Sequence, residues 1–438
     1  MEIDKTTLAD LVIFDREDEF SVFNKINFTL TSRGKDQLKK NISNPLANIE
    51  AINNVHQTLL YILSKKEKWP AIISNGTLMV VERFYESNIT PIPAKSNTLE
   101  AFTYKILHSH DFSLVKYSIR HCFDFIKGMK QAVTFLLQEE TPQPLKKQLE
   151  DAKKILDKGA LNIITENKIA SDLSPALMLD LAHFIRYKYK SNILDLLNIF
   201  GMLDAWYGMA MAIEKYNLTM PTFIEDELPY LEAENLYHLM LQNPVSYNIH
   251  LNQLKNFLFL TGANMAGKST FIKACGTAVY LAHTGMGVPA QNMRLSFFDG
   301  ILSNINVIDN IAKGESYFFN EVQRIKATLQ KVSDGKKWLI LIDELFKGTN
   351  VQDAMKCSSA VIEGLIKIKS SIFILSTHLY EIGDDLKKHP NIAFNYFETA
   401  VEDDQLSFSY QLKKGISNDR LGYLILKKEG VVKMLEDI

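Results

Sequence analysis

The sequence predicts an α + α/β chain, in which a helical part precedes a part built on a largely parallel sheet. Over residues 31–216, apolar residues recur at helical spacing. After Pro221, short apolar runs alternate with helix-like segments, which is the pattern of repeated βαβ units. We therefore place a boundary near residue 218, and predict a helical domain over 1–218 and an α/β domain over 219–438.

The helical part contains long periodic stretches over 99–138, with almost no Gly or Pro. Residues 145–156 predict an amphipathic helix that carries lysines on one side. Residues 171–190 and 193–215 predict two more helices. Because the second of these is rich in Ala and Met and contains Trp206, we expect it to be buried on more than one side.

Three short apolar runs, at 256–260, 338–342 and 371–376, predict strands of the α/β part. Gly or charged residues bound each run, and a helix-like segment follows each one. This alternation predicts a largely parallel sheet.

The composition is that of an ordinary globular protein, with 46% hydrophobic and 23% charged residues. The net charge of −2 excludes a global basic field that would indicate nucleic acid, but it is compatible with a local basic face. The amino terminus lacks a basic segment followed by an apolar run, and no apolar stretch approaches the roughly 20 residues that span a bilayer. We therefore predict a cytoplasmic protein that does not enter a membrane.

The three cysteines, Cys122, Cys275 and Cys357, lie far apart in the sequence. Their odd number and their spacing fit neither paired disulfides nor a metal site. We predict reduced, buried thiols.

Residues 261–270, TGANMAGKST, contain the spacing G-x-x-x-x-G-K-S between an apolar run and a helix-like segment. Such a loop wraps phosphates with backbone N–H groups at a helix N-terminus. Lys268 is then expected to reach the β- and γ-phosphates, and the Ser269 hydroxyl to bind Mg²⁺. The sequence thus predicts an ATP or GTP site formed by Gly262, Ala263, Asn264, Met265, Ala266, Gly267, Lys268, Ser269 and Thr270.

Two acids, Asp343 and Glu344, end the apolar run at 338–342. A carboxylate at the end of a buried strand beside a phosphate loop suits a magnesium ligand, and we assign that role to Asp343. Glu344 is placed to act as the general base for the attacking water. The alternative is that both acids cap the following helix.

Two further polar residues have two interpretations each. His378 follows the run at 371–376 and is either a γ-phosphate contact or a satisfied polar residue at a strand end. Ser316 begins a helix-like segment that includes Glu321. Its hydroxyl either contacts phosphate or caps the helix.

Read together, the four segments resemble the motifs of the MutS family of DNA mismatch-repair ATPases, whose nucleotide-binding domain is of the ABC type. Residues 261–270 resemble the family's TGPNMGGKST, and residues 339–350 its strand with D-E followed by G-T-S. Residues 376–381 resemble A-T-H-x-x-E-L, and residues 414–422 more loosely resemble G-x-x-x-x-S-x-G.

The resemblance extends upstream of these motifs. Residues 20–46 are similar to the start of the family's helical core, and residues 204–223 to the lever helix that leads into the ATPase domain. The helical core begins about 20 residues from Met1, and residues 142–191 are short for a full DNA clamp. We therefore expect core, lever and ATPase domains with a reduced or absent clamp, and no mismatch-reading domain.

The resemblance implies ATP and Mg²⁺ as cofactors, with a γ-phosphate sensor at His378. It makes Ser316 the signature serine, which acts in trans on the nucleotide of a partner, and so implies a homodimer. Gly262, Gly267 and Thr270 join Lys268 and Ser269 as phosphate and metal ligands.

The sequence departs from the family pattern at several places. Ala263 and Ala266 replace Pro and Gly of the loop, and Asn350 replaces a Ser. Residues 237–240 lack the motif G-R-H-P, and Val245 stands where the family places an aromatic on adenine. The preference for adenine is therefore left open.

The resemblance implies a DNA-binding repair ATPase that works on double-stranded or structured DNA with other repair proteins, and in which nucleotide moves a helical lever. Two clusters offer basic and aromatic groups for DNA, although solvated helix faces have the same composition. They are Lys146, Lys147, Lys153, Lys154 and Lys158, and Arg186, Tyr187, Lys188, Tyr189 and Lys190. One alternative is a nucleotide-switched protein that acts on a protein or a ribosome–RNA partner, and another is a structural module with an inactive site.

Overall fold

A computed structural model describes residues 1–15, 20–162, 164, 170–306, 317–402, 405–417 and 431–436. The helices are α1 Lys5–Asp10, α2 Val22–Ile26, α3 Ser32–Ser43, α4 Ile49–Ser64, α5 Asn75–Glu86, α6 Thr98–Leu107, α7 Ser109–Leu136, α8 Leu145–Leu156, α9 Pro175–His183, α10 Lys190–Tyr216, α11 Lys268–His283, α12 Tyr317–Val332, α13 Val351–Leu365, α14 Ile382–Leu386 and α15 Val431–Glu436. The strands are β1 Glu2–Ile3, β2 Thr222–Ile224, β3 Leu231–Leu236, β4 Tyr247–Leu251, β5 Phe257–Thr261, β6 Asn292–Ser296, β7 Gly300–Asn304, β8 Trp338–Asp343, β9 Ile372–Ser376, β10 Ile392–Glu402 and β11 Gln405–Lys414.

The chain forms two compact units. One comprises Met1–Lys25, Pro45–Ile52 and Tyr216–Ile438, and the other comprises Ile26–Asn44 and Asn53–Lys215. The first contains both sheets and the second is helical, which confirms the predicted α + α/β fold class. The proposed domain bounds, 1–218 and 219–438, differ from these units because they assign residues 1–25 and 45–52 to the helical part.

The larger sheet of the α/β unit has seven strands in the order β1-β7-β8-β9-β5-β10-β11. All neighbours are parallel except β10 and β11, which form an antiparallel pair. Strands β5, β8 and β9 correspond to the three predicted apolar runs, and β5 and β9 are buried along their whole length. Their carboxyl ends therefore meet at one edge of the sheet. The smaller sheet has the order β2-β6-β3-β4.

The amino-terminal segment packs within the α/β unit. Glu2 and Ile3 of β1 pair in parallel with Gly300 and Ile301 of β7. Asp10, at the end of α1, is 2% exposed and accepts hydrogen bonds from Ser303 Oγ at 2.5 Å and Ile305 N at 3.2 Å. A strand of two residues carries no periodic signal, so the sequence did not indicate this pairing.

The helical unit depends on amphipathic packing and on helix caps. α7 buries a row that includes Val115, Ile119, Cys122 and Ile126, at the spacing of one helix face. Thr31 caps α3, because its side chain accepts a hydrogen bond from Gly34 N. Burial of Cys122 raises the pKa of its thiol to about 12, as expected for a reduced core residue.

A buried carboxylate fixes the start of α3. Asp204, on α10, is fully buried and accepts hydrogen bonds from Leu30 N at 2.9 Å, Thr31 N at 2.9 Å and Thr31 Oγ1 at 2.6 Å. Burial raises the pKa of Asp204, and these three hydrogen bonds oppose the shift. A Cβ on Gly34 would lie 2.0 Å from Asp204 Oδ2, so only glycine allows this approach.

The helix α10 corrects one expectation about membrane segments. Its 27 residues have a mean hydropathy of 1.4 over their best window, so it is long and apolar enough to cross a bilayer. However, 78% of that window is buried inside the protein. Consecutive residues from Leu203 to Trp206 are buried, which confirms the prediction of a helix covered on more than one side.

Candidate active site

The loop between β5 and α11 is shaped by two glycines in left-handed backbone conformations. Gly262 has φ 141° and Gly267 has φ 109°, and L-residues rarely adopt either value. A Cβ on Gly262 would also lie 3.2 Å from the Phe397 carbonyl oxygen. Substitution at either glycine would therefore strain the loop.

Ala266, which replaces a glycine of the resembling motif, is not among the residues of this loop that need a left-handed backbone conformation. The third left-handed residue of the loop is Met265, with φ 67°, and its side chain is 72% exposed. Ala266 itself is 1% exposed, and its N–H donates to the Ala263 carbonyl at 3.4 Å. An alanine methyl is thus accommodated in the core at this position.

Lys268, the first residue of α11, points into the loop. Its Nζ donates to the carbonyl oxygens of Gly262 and Ala263, both at 2.8 Å, and lies 3.4 Å from His378 Nε2. Burial lowers the pKa of Lys268 to about 8, although Asp343 and Glu344 partly oppose this shift. Burial and the charge of Lys268 lower the pKa of His378, so this ring is neutral at pH 7.

Asp343 ends β8 with hydroxyl donors on both carboxylate oxygens. Ser269 Oγ donates to Asp343 Oδ2 at 2.5 Å, and Ser376 Oγ donates to Asp343 Oδ1. The structure thus brings together the two residues for which the sequence predicted a magnesium role.

Glu344 follows in a left-handed conformation, with φ 69°. Its N–H donates to the Ser376 carbonyl at 2.9 Å, and its Oε2 lies 3.3 Å from Lys347 Nζ. The next turn is anchored by Glu321 of α12, which accepts from Lys347 N at 3.1 Å and Gly348 N at 3.2 Å. Sequence reasoning missed this anchoring, because nothing in the motif shows that Glu321 faces the backbone of Lys347 and Gly348.

One cavity of about 500 Å³ joins these groups. Apolar and aromatic side chains form another part of its wall, which sequence reasoning largely missed. The lining residues are Leu241, Asn243, Val245, Tyr247, Asn264, Met265, Gly267, Lys268, Ser269, Thr270, Asp343, Glu344, Lys347, His378 and Tyr410.

The two tyrosines reach this cavity from strands with no motif. Tyr247 on β4 is 4% exposed and packs edge-on against Phe271 and Phe397. Tyr410 on β11 is 39% exposed, with φ 53°. Tyr410 is brought to the cavity because β10, its hairpin partner, pairs with β5.

Two sequence predictions fall outside the described residues. Ser316, the predicted trans serine, lies there, and so does Gly422. Both therefore stay predictions.

The two basic clusters of the helical unit differ in the structure. On α8 and just beyond it, Lys146 is half-buried and the other four lysines, Lys147, Lys153, Lys154 and Lys158, are exposed. Lys154 also pairs with Asp151 at 3.0 Å. This cluster keeps a solvent-facing basic surface.

The second cluster is divided between the fold and the surface, because Tyr187, Lys188 and Lys190 are exposed whereas Arg186 and Tyr189 are used internally. Arg186 donates to the carbonyl oxygens of Phe84 and Ser87, which end α5. Lys190 lies over the Tyr85 ring at 5.7 Å, and Tyr189 is 3% exposed. Of the two aromatic residues, Tyr189 packs in the core, whereas Tyr187 is 45% exposed.

Comparison with known proteins matches residues 258–435 to MutS domain V. The chain is similar to the DNA mismatch repair protein MutS of Thermotoga maritima, with 30% identity over 56% of the chain and 30% of the relative. For MutS of Leuconostoc mesenteroides the values are 32%, 56% and 30%, and for MutS of Acholeplasma laidlawii 28%, 66% and 34%. The matched region thus spans about a third of the length of these relatives. The matched residues 258–435 all lie in the α/β unit, so this unit contains a region similar to MutS domain V.

Proposed function

We propose that the chain is a Mg²⁺-dependent ATPase and that the cavity beside β5, β8 and β9 binds and hydrolyses ATP. The observation that carries this proposal is that Lys268, Ser269, Asp343, Glu344 and His378 line one cavity although they come from three separate segments. Phosphoryl transfer needs this set of groups, namely a phosphate cradle, a metal ligand, a base and a γ-phosphate contact.

The phosphates would lie at the N-terminus of α11, where backbone N–H groups and the helix dipole favour anions. Lys268 now donates to two carbonyl oxygens of its own loop. A triphosphate offers charged acceptors, which form stronger hydrogen bonds than neutral carbonyls. Lys268 therefore exchanges loop carbonyls for phosphate oxygens when ATP binds.

Ser269 and Asp343 fit a magnesium ion, because both offer hard oxygen donors and they are already in contact at 2.5 Å. Among the described residues, no group of three or more His, Cys, Asp or Glu side chains gathers as a dedicated metal cage. A site with one carboxylate, in which phosphate and water complete the shell, is typical of Mg²⁺ at nucleotides. When bound, the ion neutralises charge on the phosphate oxygens.

Glu344 is the proposed general base, and its backbone is fixed by the Ser376 carbonyl. His378 lies beside Lys268 Nζ, where a neutral ring can donate one N–H to the γ-phosphate. For the base of the nucleotide, Leu241, Val245 and Tyr410 offer apolar and aromatic surface on the same cavity. Tyr410 thus supplies a ring even though Val245 does not.

The finer biological assignment rests on the relatives, which are DNA mismatch repair proteins. We infer a cytoplasmic homodimer that binds double-stranded or structured DNA, works with other repair proteins and couples the nucleotide state to movement of the helical unit. The exposed lysines of α8 support phosphate contacts. The second candidate is a nucleotide-switched protein with a protein or ribosome–RNA partner, favoured by the internal use of Arg186 and the net charge of −2.

Steady-state ATP hydrolysis with and without homoduplex, mismatched and branched DNA tests both candidates. We expect Mg²⁺-dependent turnover that DNA changes, and turnover at the assay background for Lys268→Ala. Equal turnover by wild type and Lys268→Ala would overturn the site assignment. Turnover that needs Lys268 but ignores every DNA would favour the switched interaction protein.

A further inference from the structure

Ser376 is a buried hydroxyl that the proposed chemistry does not use. It ends β9 and is fully buried. β9 lies between β8 and β5, and the register places Ser376 directly opposite Asp343 on one side and Leu260 on the other. Ser376 is therefore held by the sheet at the carboxyl edge where the cavity opens.

The hydroxyl of Ser376 contacts the metal-ligand candidate itself. Ser376 Oγ donates to Asp343 Oδ1, while Ser269 Oγ donates to Oδ2 at 2.5 Å. Two donors on opposite oxygens fix both the χ angles and the plane of the carboxylate. Because each carboxylate oxygen has two lone pairs, each remains able to bind a cation.

The two hydroxyls differ in what a ligand does to them. Ser269 is exposed, lines the cavity and is itself a candidate cation ligand. Ser376 is buried and does not line the cavity, so its hydrogen bond to Asp343 persists when a nucleotide enters. The orientation of Asp343 in the loaded site thus depends on Ser376.

The resembling family motif has alanine at this position, A-T-H, whereas this chain has Ser376-Thr377-His378. An alanine at position 376 would leave Asp343 Oδ1 without this donor. The hydroxyl is thus a feature of this chain that the shared motif does not require.

We propose that Ser376 is a positioning residue that orients the Asp343 carboxylate for the divalent cation and so sets the cation affinity of the nucleotide site. This inference rests on the proposed function of the cavity. Partners of this kind, which orient a metal ligand without touching the metal, typically change metal affinity by 10- to 100-fold.

Mn²⁺ binding, followed by electron paramagnetic resonance on the full chain with a non-hydrolysable ATP analogue, tests this inference without turnover. For Ser376→Ala we expect about tenfold weaker Mn²⁺ binding, and an unchanged analogue affinity in EDTA. The half-saturating Mg²⁺ concentration for hydrolysis should rise by a similar factor. Ser376→Cys retains a weak donor and should fall between Ala and wild type.

Ser371→Ala is the matched control, because Ser371 is also fully buried beside β9 but its Oγ has no hydrogen-bond partner. Its Mn²⁺ affinity should equal that of wild type. Wild-type Mn²⁺ affinity in Ser376→Ala would overturn the inference, as would an equal loss in Ser371→Ala. If Ser376→Ala does not fold, Ser376→Cys with wild-type affinity would overturn it. Absence of analogue-dependent Mn²⁺ binding in wild type would instead reject the proposed function.

Discussion

Two carboxylates, one in each unit of the molecule, differ in how completely the protein satisfies them. Asp204 in the helical unit is fully buried and accepts three hydrogen bonds from the start of α3. Asp343 in the α/β unit accepts two hydroxyls and lies on a cavity wall. A carboxylate accepts about four hydrogen bonds, so Asp343 has capacity that faces a ligand space. The difference teaches that a carboxylate enclosed on all sides by the protein has a structural role. A carboxylate whose remaining acceptor positions face a cavity indicates a binding site.

The largest expected effect is on turnover by Asp343→Asn. The amide keeps the shape of the side chain but removes the negative charge that holds the cation, and we expect ATP turnover to fall by on the order of 1000-fold. The melting temperature should stay within a few degrees of wild type. Steady-state hydrolysis at saturating Mg²⁺ measures this loss. If Asp343→Asn retained more than a tenth of wild-type turnover, Asp343 would have only a structural role, like Asp204.

The converse effect is expected for Asp204→Ala. Removing this acceptor leaves three donors unsatisfied, and we expect the free energy of unfolding of the helical unit to fall by about 3 kcal/mol. Trp69 and Trp206 report this unit in urea unfolding when Trp338 of β8 is replaced by Phe as the background. ATP turnover per folded molecule should be unchanged. A loss below about 1 kcal/mol would mean that water replaces the carboxylate.

A smaller effect is expected from pH, which changes the charge of Lys268 and so the affinity for nucleotide. The pKa of Lys268 is lowered to about 8 by burial, and a bound triphosphate favours the ammonium form and raises it again. The bound state therefore holds the proton, so the full affinity for nucleotide is present below pH 8 and is lost as the pH rises above it. We expect roughly tenfold weaker binding of an ATP analogue at pH 9 than at pH 7.

Lys268→Arg is the control for this pH dependence, because a guanidinium stays charged throughout this range. His378 is neutral across it, since its pKa is lowered from the ordinary value. Binding that weakens equally in wild type and Lys268→Arg would assign the pH effect to another group.

Much of the α/β site could be predicted from local sequence. The glycine spacing, the lysine and the acids at a strand end are constrained by residues close in the chain, and β5, β8 and β9 match their apolar runs within one residue. What failed depended on distant contacts. Tyr410 reaches the cavity only through the β10–β11 hairpin, and Glu321 meets the backbone of Lys347 and Gly348 only because α12 packs beside them.

Composition alone did not decide how the helical unit uses its basic and aromatic cluster at 186–190. Arg186 donates to the carbonyl oxygens at the end of α5 and Tyr189 is buried, whereas Lys188 is exposed. For α10, by contrast, its composition correctly predicted a helix covered on more than one side. The position of each side chain in the cluster is set by the elements packed against it, which one sequence does not reveal.

The pairing of β1 with β7 has a consequence for how the chain folds during synthesis. Glu2 and Ile3 pair with Gly300 and Ile301, so this contact joins residues almost 300 positions apart. At a translation rate of roughly 5–20 residues per second, β1 waits about 15–60 s for its partner strand to be made. Contacts of such high sequence separation slow folding, so the α/β unit is expected to complete late and to need protection of its early segment while translation proceeds.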